Sequence, residues 1–277
     1  MVKIDSNNEK IVKYDWNQLW NEALEKLPQK NSRSWDNVAP KFKKNKGKHD
    51  YSKRLLEKIK LEPDDTVLDI GCGSGNITIP LAQKAKKVTA LDISRKMLQL
   101  LEENAAENDL SNIDPLNRRL EDVLLNRDIE PHDVVIASRS LNGVYNIKQV
   151  LEEINEIAKK YVYITLWGAN NVKFQNEISK IIGREFHEHP TYIYVYNMLY
   201  ELGIYANIEI LEYDNSSYYS SIDDAIETFR WKMVNLNQRE EDILREYLSG
   251  KMVKLHDSKF KFPHNKPDWT LIWWKKE

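Results

Sequence analysis

The most chemically loaded stretch of the 277-residue chain is 67–76, VLDIGCGSGN. Nine glycines serve the whole chain, and three of them, Gly71, Gly73 and Gly75, fall within five residues here. Glycines directly after an aliphatic run let the backbone turn sharply and let a ligand approach the main chain closely. A dinucleotide-binding fingerprint would read G-x-G-x-x-G. The spacing here is G-x-G-x-G, and Asp69 precedes the first glycine by two positions. A carboxylate beside a pyrophosphate would be repelled, so Asp69 favours a ligand that offers a cation or hydrogen-bond donors. No G-K-[ST] follows, which excludes a P-loop. A second acid, Asp92, ends the run KVTALD, 23 residues after Asp69. From that position a carboxylate can accept hydrogen bonds from both hydroxyls of a ribose.

These residues need strand ends to hold them, and the pattern supplies strands alternating with helices. TVLDI (66–70), KVTALD (87–92), DVVIAS (133–138) and YVYITLW (161–167) read as buried strands. A third strand is expected within 114–123, where the pattern is polar and weak. Between the strands, Ile77, Leu81 and Ala82 fall at helical spacing. Ser94 can cap a helix whose stripe is Met97, Leu98, Leu101 and Ala105. Further helices are expected at 147–160, 172–182, 192–202 and 222–248, with Gly183 and Gly203 as stops. Strands are expected at 206–214 and 268–274. The alternation predicts an α/β, doubly wound, mostly parallel seven-stranded sheet with helices on both faces. The expected division is an N-terminal helical cap over 1–50 and a second domain over 51–277, with a helical insert at about 215–265.

A phosphate-free adenosine with a positively charged tail is S-adenosylmethionine. VLDIGCGSGN, TALDIS and HDVVIAS, taken together, resemble the successive motifs of the class I S-adenosylmethionine-dependent methyltransferases. The resemblance covers about 51–167 well and the last strands loosely. It implies that Asp69, Gly71, Gly73 and Gly75 lie against the methionine portion, with Cys72 of the same loop among the cofactor-binding residues, that Asp92 holds the ribose, and that Ile93 flanks the adenine. It implies an acid after the third strand for the adenine amino group, with Glu121 and Asp122 both candidates. It places Ser138 beside the cofactor and the transferred methyl group. Methyltransferases that act on exocyclic or glutamine amides often carry an Asn/Asp-Pro-Pro-aromatic box at this place, and this chain has ASRSLNGVYN instead, which disfavours adenine, cytosine-amino or glutamine methylation. No catalytic residue is assigned, because an activated methyl donor needs chiefly alignment and desolvation.

Cys72 is expected as a small residue in a tight turn rather than a nucleophile, since no motif supplies a base. It is the single cysteine, which excludes an internal disulfide and fits a reducing, cytoplasmic setting. His187 and His189 are expected as loop or acceptor-contact residues rather than a zinc site, so no metal is expected. Tyr192, Tyr194, Tyr196 and Tyr200 are expected in packing. Trp16, Trp20 and Trp35 are expected to anchor a lid, and Tyr51 to close over the methionine end. Charge is nearly balanced, with 41 Lys and Arg against 43 Asp and Glu. The segment 41–60, in contrast, carries eight Lys, Arg54 and two acids. The favoured function is methyl transfer to a small-molecule acceptor without a membrane. The alternatives are an RNA or protein methyltransferase using 41–60, or a non-catalytic S-adenosylmethionine-binding protein.

Overall fold

The computed structural model describes residues 14–27, 32–44, 50–123, 125–212, 217–233, 236–255, 259–262 and 268–276. Three helices, α1 (Trp16–Glu25), α2 (Ser32–Lys44) and α3 (Asp50–Leu56), precede the sheet. Then come β1 (Thr66–Ile70), α4 (Thr78–Ala82), β2 (Lys87–Asp92), α5 (Arg95–Glu107), β3 (Ile113–Asn117), α6 (Leu125–Asp128), β4 (His132–Ser138), α7 (Ile147–Ile157) and β5 (Ala158–Trp167). The remainder is α8 (Ala169–Ile182), α9 (Tyr192–Glu201), β6 (Asn207–Leu211), β7 (Ser217–Tyr219), α10 (Ile222–Lys232), α11 (Gln238–Lys251), β8 (Val253–Lys254), β9 (Phe260–Phe262) and β10 (Trp269–Lys275).

The main sheet has the order β3-β2-β1-β4-β5-β10-β6. It is parallel except for β10, which runs antiparallel to both β5 and β6. The expected seven-stranded, mostly parallel sheet is therefore present. Alternation along each strand sends side chains to two cores. Val135, Ala137, Ile164 and Leu166 face α7 and α9, and the buried stripe Ile147, Val150, Leu151 and Ile154 of α7 covers them. On the other face, Val67, Val134, Ile136 and Tyr163 meet Tyr51 and Leu55 of α3 and Leu81 of α4. The expected stripe of α5 is buried throughout, and Ser94 Oγ accepts Met97 N–H at 3.1 Å as its cap.

Several expectations change. The third strand is Ile113–Asn117, which starts before the expected window. It is an edge strand with one neighbour, so its polar, half-exposed pattern and its Pro115 are tolerated. The helix expected to run to Lys160 stops at Ile157, because 158–160 join β5: Ala158 pairs with His132, and Lys160 makes ion pairs with Asp65 and Asp133. The strand expected at 206–214 is Asn207–Leu211, with 206 and 212 outside it and 213–214 beyond the described residues. The long helix expected over 222–248 is two helices. Asn237 opens the second with a capping box: its side chain accepts Glu240 N–H at 3.0 Å while Glu240 Oε2 accepts Asn237 N–H at 2.8 Å. Gly183 and Gly203 do end helices, each at φ +75°.

The segment between β6 and β10 is not purely helical, since β7, β9 and β8 form a small antiparallel sheet. A third core joins Phe174, Ile178 and Ile182 of α8 to Ala225, Phe229, Leu244, Leu248 and Phe262. The chain returns at Asp268, whose Oδ1 accepts the N–H groups of Asn170 and Asn171 at 2.9 and 3.2 Å. Asp268 thus caps α8 in place of Gly168, which has no side chain to do so. Among the described residues, no helix is long and apolar enough to cross a membrane.

Helix α1 is part of the main core. Trp20 is fully buried, its Nε1–H donates to Val144 O at 2.8 Å, and its ring meets Tyr194 edge-on. Trp20→Ala is expected to cost about 3–5 kcal/mol, and Trp20→Phe about 1–3 kcal/mol through the unpaired carbonyl. Chemical unfolding followed by circular dichroism checks this, and a wild-type midpoint for Trp20→Ala would detach α1 from the core.

Candidate active site

β1, β2 and β4 end side by side at the carboxyl edge of the sheet, where their last residues and following loops meet. The glycine loop leaves β1 and is held against β2 by Gly71 N–H and Cys72 N–H, which share Leu91 O at 2.7 and 3.1 Å. Gly71, Gly73 and Gly75 all adopt positive φ, at 71°, 56° and 89°. At Gly75 the need is doubled, because a Cβ there would lie 2.5 Å from Leu101 Cδ1. Around Gly73 there is open space, so its backbone faces a place a ligand could occupy.

Two carboxylates organise this edge. Asp92 Oδ2 accepts Gly73 N–H at 2.8 Å and Oδ1 accepts Ser94 N–H at 2.8 Å, which ties the glycine loop to the turn after β2. Burial raises the Asp92 pKa, partly offset by these two amides. Asp69 is 1% exposed. Its Oδ2 accepts Thr78 Oγ–H at 2.7 Å, while Oδ1 is buried without a hydrogen-bond partner. Burial, aided by the nearby Asp92 charge, pushes its pKa up to about 7. An acceptor in that condition is satisfied by its own proton or by a donor from a bound molecule.

Of the other expected site residues, Cys72 is buried against Ala90, Leu98 and Leu101, and burial raises its thiol well above the usual value, as suits a packing residue. Ile93 is half-buried, and Asn117 Nδ2 donates to the carbonyls of Asp92 and Ile93 at 3.0 Å each. Glu121 and Asp122 lie in the exposed turn Leu120–Asp122, one strand further out, and Glu121 is 3.7 Å from the Arg119 guanidinium. Ser138 Oγ lies 2.7 Å from Tyr51 Oη, which is also 2.6 Å from Thr165 Oγ1. Burial raises the Tyr51 pKa, so the phenol stays protonated. His189 stacks at a tilt on Trp167, ring centroids 4.3 Å apart, and His187 is 4.0 Å from Glu185. Among the described residues, no group of three or more His, Cys, Asp or Glu is placed to hold a metal ion.

Three contributors escaped the sequence reading. Asn104 Nδ2 donates to Ser74 O at 2.7 Å and pins the glycine loop to α5. Its signal was legible: it continues the Leu101 stripe at i+3, a polar residue where an apolar one would bury. Asp36 of α2 accepts Ser94 Oγ–H at 2.6 Å and Lys96 N–H at 3.2 Å, which docks the N-terminal segment beside Asp92. Arg139 follows Ser138 with φ 59°, its N–H donating to Thr165 Oγ1 at 2.9 Å. Nothing local in the sequence announces either of the last two.

A model of the methyltransferase-domain family matches residues 61–203, more than half of the chain, including the glycine loop, Asp69, Asp92 and Ser138. The chain belongs to the class I S-adenosylmethionine-dependent methyltransferases. The methyl donor of this family is S-adenosylmethionine. This methyltransferase is 33% identical over 244 residues to an uncharacterised protein of Haemophilus influenzae, covering 87% of this chain and 88% of that one. It is 30% identical over 127 residues to a probable cobalt-precorrin-6B C(15)-methyltransferase of Methanocaldococcus jannaschii, over 46% of this chain and 62% of that protein. It is also 30% identical over 114 residues to the 23S rRNA (uracil(1939)-C(5))-methyltransferase RlmD of an Enterobacter strain, over 40% of this chain and 26% of that one. In fold it is similar to a crystal structure of a Bacillus halodurans protein described as a methyltransferase. That match has a TM-score of 0.56 at 17% identity, covering 81% of this chain and 98% of the other.

The state of Asp69 sets a pH dependence. The unfolded carboxyl loses its proton near its ordinary value of 3.8, whereas the folded one keeps it to about 7. The native state therefore binds more protons across that window, and stability falls as pH rises through it. Asp69→Asn is expected to remove that falling component from the unfolding midpoint between pH 4.5 and 7.5. The difference between the two proteins isolates it, because buried His132, whose pKa burial lowers, contributes the opposite slope. Parallel pH profiles for the two proteins would contradict the assignment.

Proposed function

We propose that this methyltransferase moves a methyl group from S-adenosylmethionine to a nucleophile on a small-molecule acceptor, by in-line displacement at the carboxyl edge of the sheet. The orphaned Oδ1 of Asp69 and the open space at Gly73 suit a cofactor with a cationic amino-acid portion. In this reading Asp69, Gly71, Gly73 and Gly75 hold the methionine end, and Cys72 packs within the cofactor loop. Asp92 uses the second lone pair of each oxygen for the ribose hydroxyls, Ile93 flanks the adenine, and Glu121 or Asp122 meets its amino group. Ser138 stands beside the transferred methyl. The sulfonium supplies an activated methyl group, so the protein's contribution is alignment and exclusion of water. Tyr51 bridges Ser138 and Thr165 and keeps that edge rigid.

The choice of a small acceptor over RNA rests on how the basic segment is used. Within the described part of 41–60, Arg54 pairs with Glu57 at 3.2 Å and Lys58 pairs with Glu209. Lys60 lies 5.7 Å from the ring centroids of both Tyr161 and Trp273. Three cations thus have partners within the chain, and a phosphate backbone would have to compete for them. The rest of that segment, residues 45–49 and the side chains of 41–44, lies outside the described residues.

S-adenosylhomocysteine release is the deciding assay, run against a low-molecular-mass cell fraction and against total RNA. Release with the former alone is expected. RNA-dependent release, with filter-bound affinity that falls steeply with salt, would establish the RNA reading instead. Tight cofactor binding without release in either case would favour the non-catalytic alternative.

On the cofactor side, Asp92→Ala is expected to weaken S-adenosylhomocysteine binding by about 1.5–3 kcal/mol, the range for hydrogen bonds to a charged group. That is roughly 10- to 150-fold in calorimetric affinity. Asp92→Asn, which keeps one acceptor oxygen, is expected to lose less. Unchanged affinity in both folded variants would remove the ribose assignment.

A further inference from the structure

We propose that Arg139 recognises an anionic group, a carboxylate or a phosphate monoester, carried by the methyl acceptor. This rests on the small-molecule reading above and specifies the acceptor it leaves open.

The guanidinium of Arg139 lies 4.2 Å from the ring centroid of Tyr51 and 5.4 Å from that of Trp269. Both distances fall within the roughly 6 Å reach of cation–π attraction. The rings fix the side chain, but their faces leave its five N–H donors without an acceptor. Among the described residues Arg139 makes no ion pair, and its side chain donates no hydrogen bond. Two other arginines of this chain differ in that respect. Arg184 forks onto Glu240 at 2.6 and 2.7 Å, and Arg230 onto Glu241 at 2.5 and 2.6 Å. A half-buried guanidinium pre-positioned by two aromatic rings, with its donors unspent, is built to receive an oxyanion in the bidentate geometry that arginine favours.

The backbone points the same way. Arg139 has φ 59°, a left-handed conformation that is strained for a non-glycine residue and persists only where the surroundings impose it. They do so here. Arg139 N–H bonds Thr165 Oγ1 at 2.9 Å, and Ser140 Oγ–H donates to Ile70 O at 2.6 Å. The same turn presses Ser140 against Gly71, where any Cβ would collide with it. This links the Arg139 turn rigidly to the cofactor loop, one residue past Ser138. From Trp269 a row of partly exposed rings runs to Trp167, ring centroids 6.4 Å apart, and on to His189. The acceptor that fits joins an oxyanion to a flat apolar body.

The test uses the full chain saturated with S-adenosylhomocysteine and titrated with benzoate, phenyl phosphate and neutral benzamide, followed by tryptophan fluorescence. At least one anion is expected to bind about tenfold or more tightly than benzamide, which is about 1.4 kcal/mol. Benzoate ahead of phenyl phosphate marks a carboxylate, and the reverse order marks a phosphate. Arg139→Gln is expected to abolish the preference and Arg139→Lys to retain part of it, since the ammonium keeps the charge and loses the fork. Equal binding of the three probes, or a preference untouched in both variants, overturns the proposal. Calorimetry with S-adenosylhomocysteine and 5′-methylthioadenosine on each variant guards against a different occupant. If the variants lose affinity only for S-adenosylhomocysteine, the guanidinium serves the cofactor's own carboxylate and the proposal is overturned. If the wild-type chain binds neither nucleoside, the failure belongs to the methyltransferase reading itself.

Discussion

The carboxyl edge of the sheet depends on the Asp92 carboxylate bridging two backbones. One oxygen holds Gly73 N–H and the other Ser94 N–H, both at 2.8 Å. Each amide would otherwise face the edge of the sheet without a partner, and the loops they belong to would lose their mutual register. Burying the carboxylate opposes its charge, and the two amides offset that only in part, so its pKa is still raised. Asp69, one strand over, has a single hydroxyl as partner and a stronger desolvation. The site therefore holds two acids whose burial is incompletely compensated, the condition that perturbed groups at functional sites share.

Around that edge the chain builds supports of different kinds. α2 reaches it through Asp36 and Ser94, and α1 is seated by Trp20 in the core that α7 and α9 share with the sheet. α3 presents Tyr51 to Ser138 and Thr165 on the opposite face. The small sheet and α10–α11 have a core of their own with α8, and Asp268 ties that unit to the end of β10. Each support meets the edge through one or two buried polar groups set in an apolar contact. Such groups give little net stability but specify position, because misplacing them leaves a donor or acceptor unpaired.

Much of the fold was legible because its signals are local. The α5 stripe, the Ser94 cap and the stops at Gly183 and Gly203 each depend on a few neighbouring residues, and the structure repeats them. The misread boundaries have separate causes. Ala158–Lys160 look helical by continuity, yet the ladder to β4 and the pairing of Lys160 with Asp65 and Asp133 take them into β5. β3 looks unlike a strand because it has one neighbour and so needs no apolar alternation. The break between α10 and α11 was readable as an Asn-x-x-Glu capping box, and the strongly charged run around it hid the signal.

By itself the sequence determined the family and its methyl donor. The glycine spacing, Asp69 and Asp92 express backbone and electrostatic requirements that act within a strand and the turn after it. Only the tertiary structure decided what faces that site from elsewhere. Tyr51, Arg139, Thr165 and Trp269 come from four separate elements and meet at the ends of β4 and β5. No spacing rule links residues 51, 139, 165 and 269. Strand register and the reversed direction of β10 bring them together, and those are properties of the assembled sheet rather than of any segment.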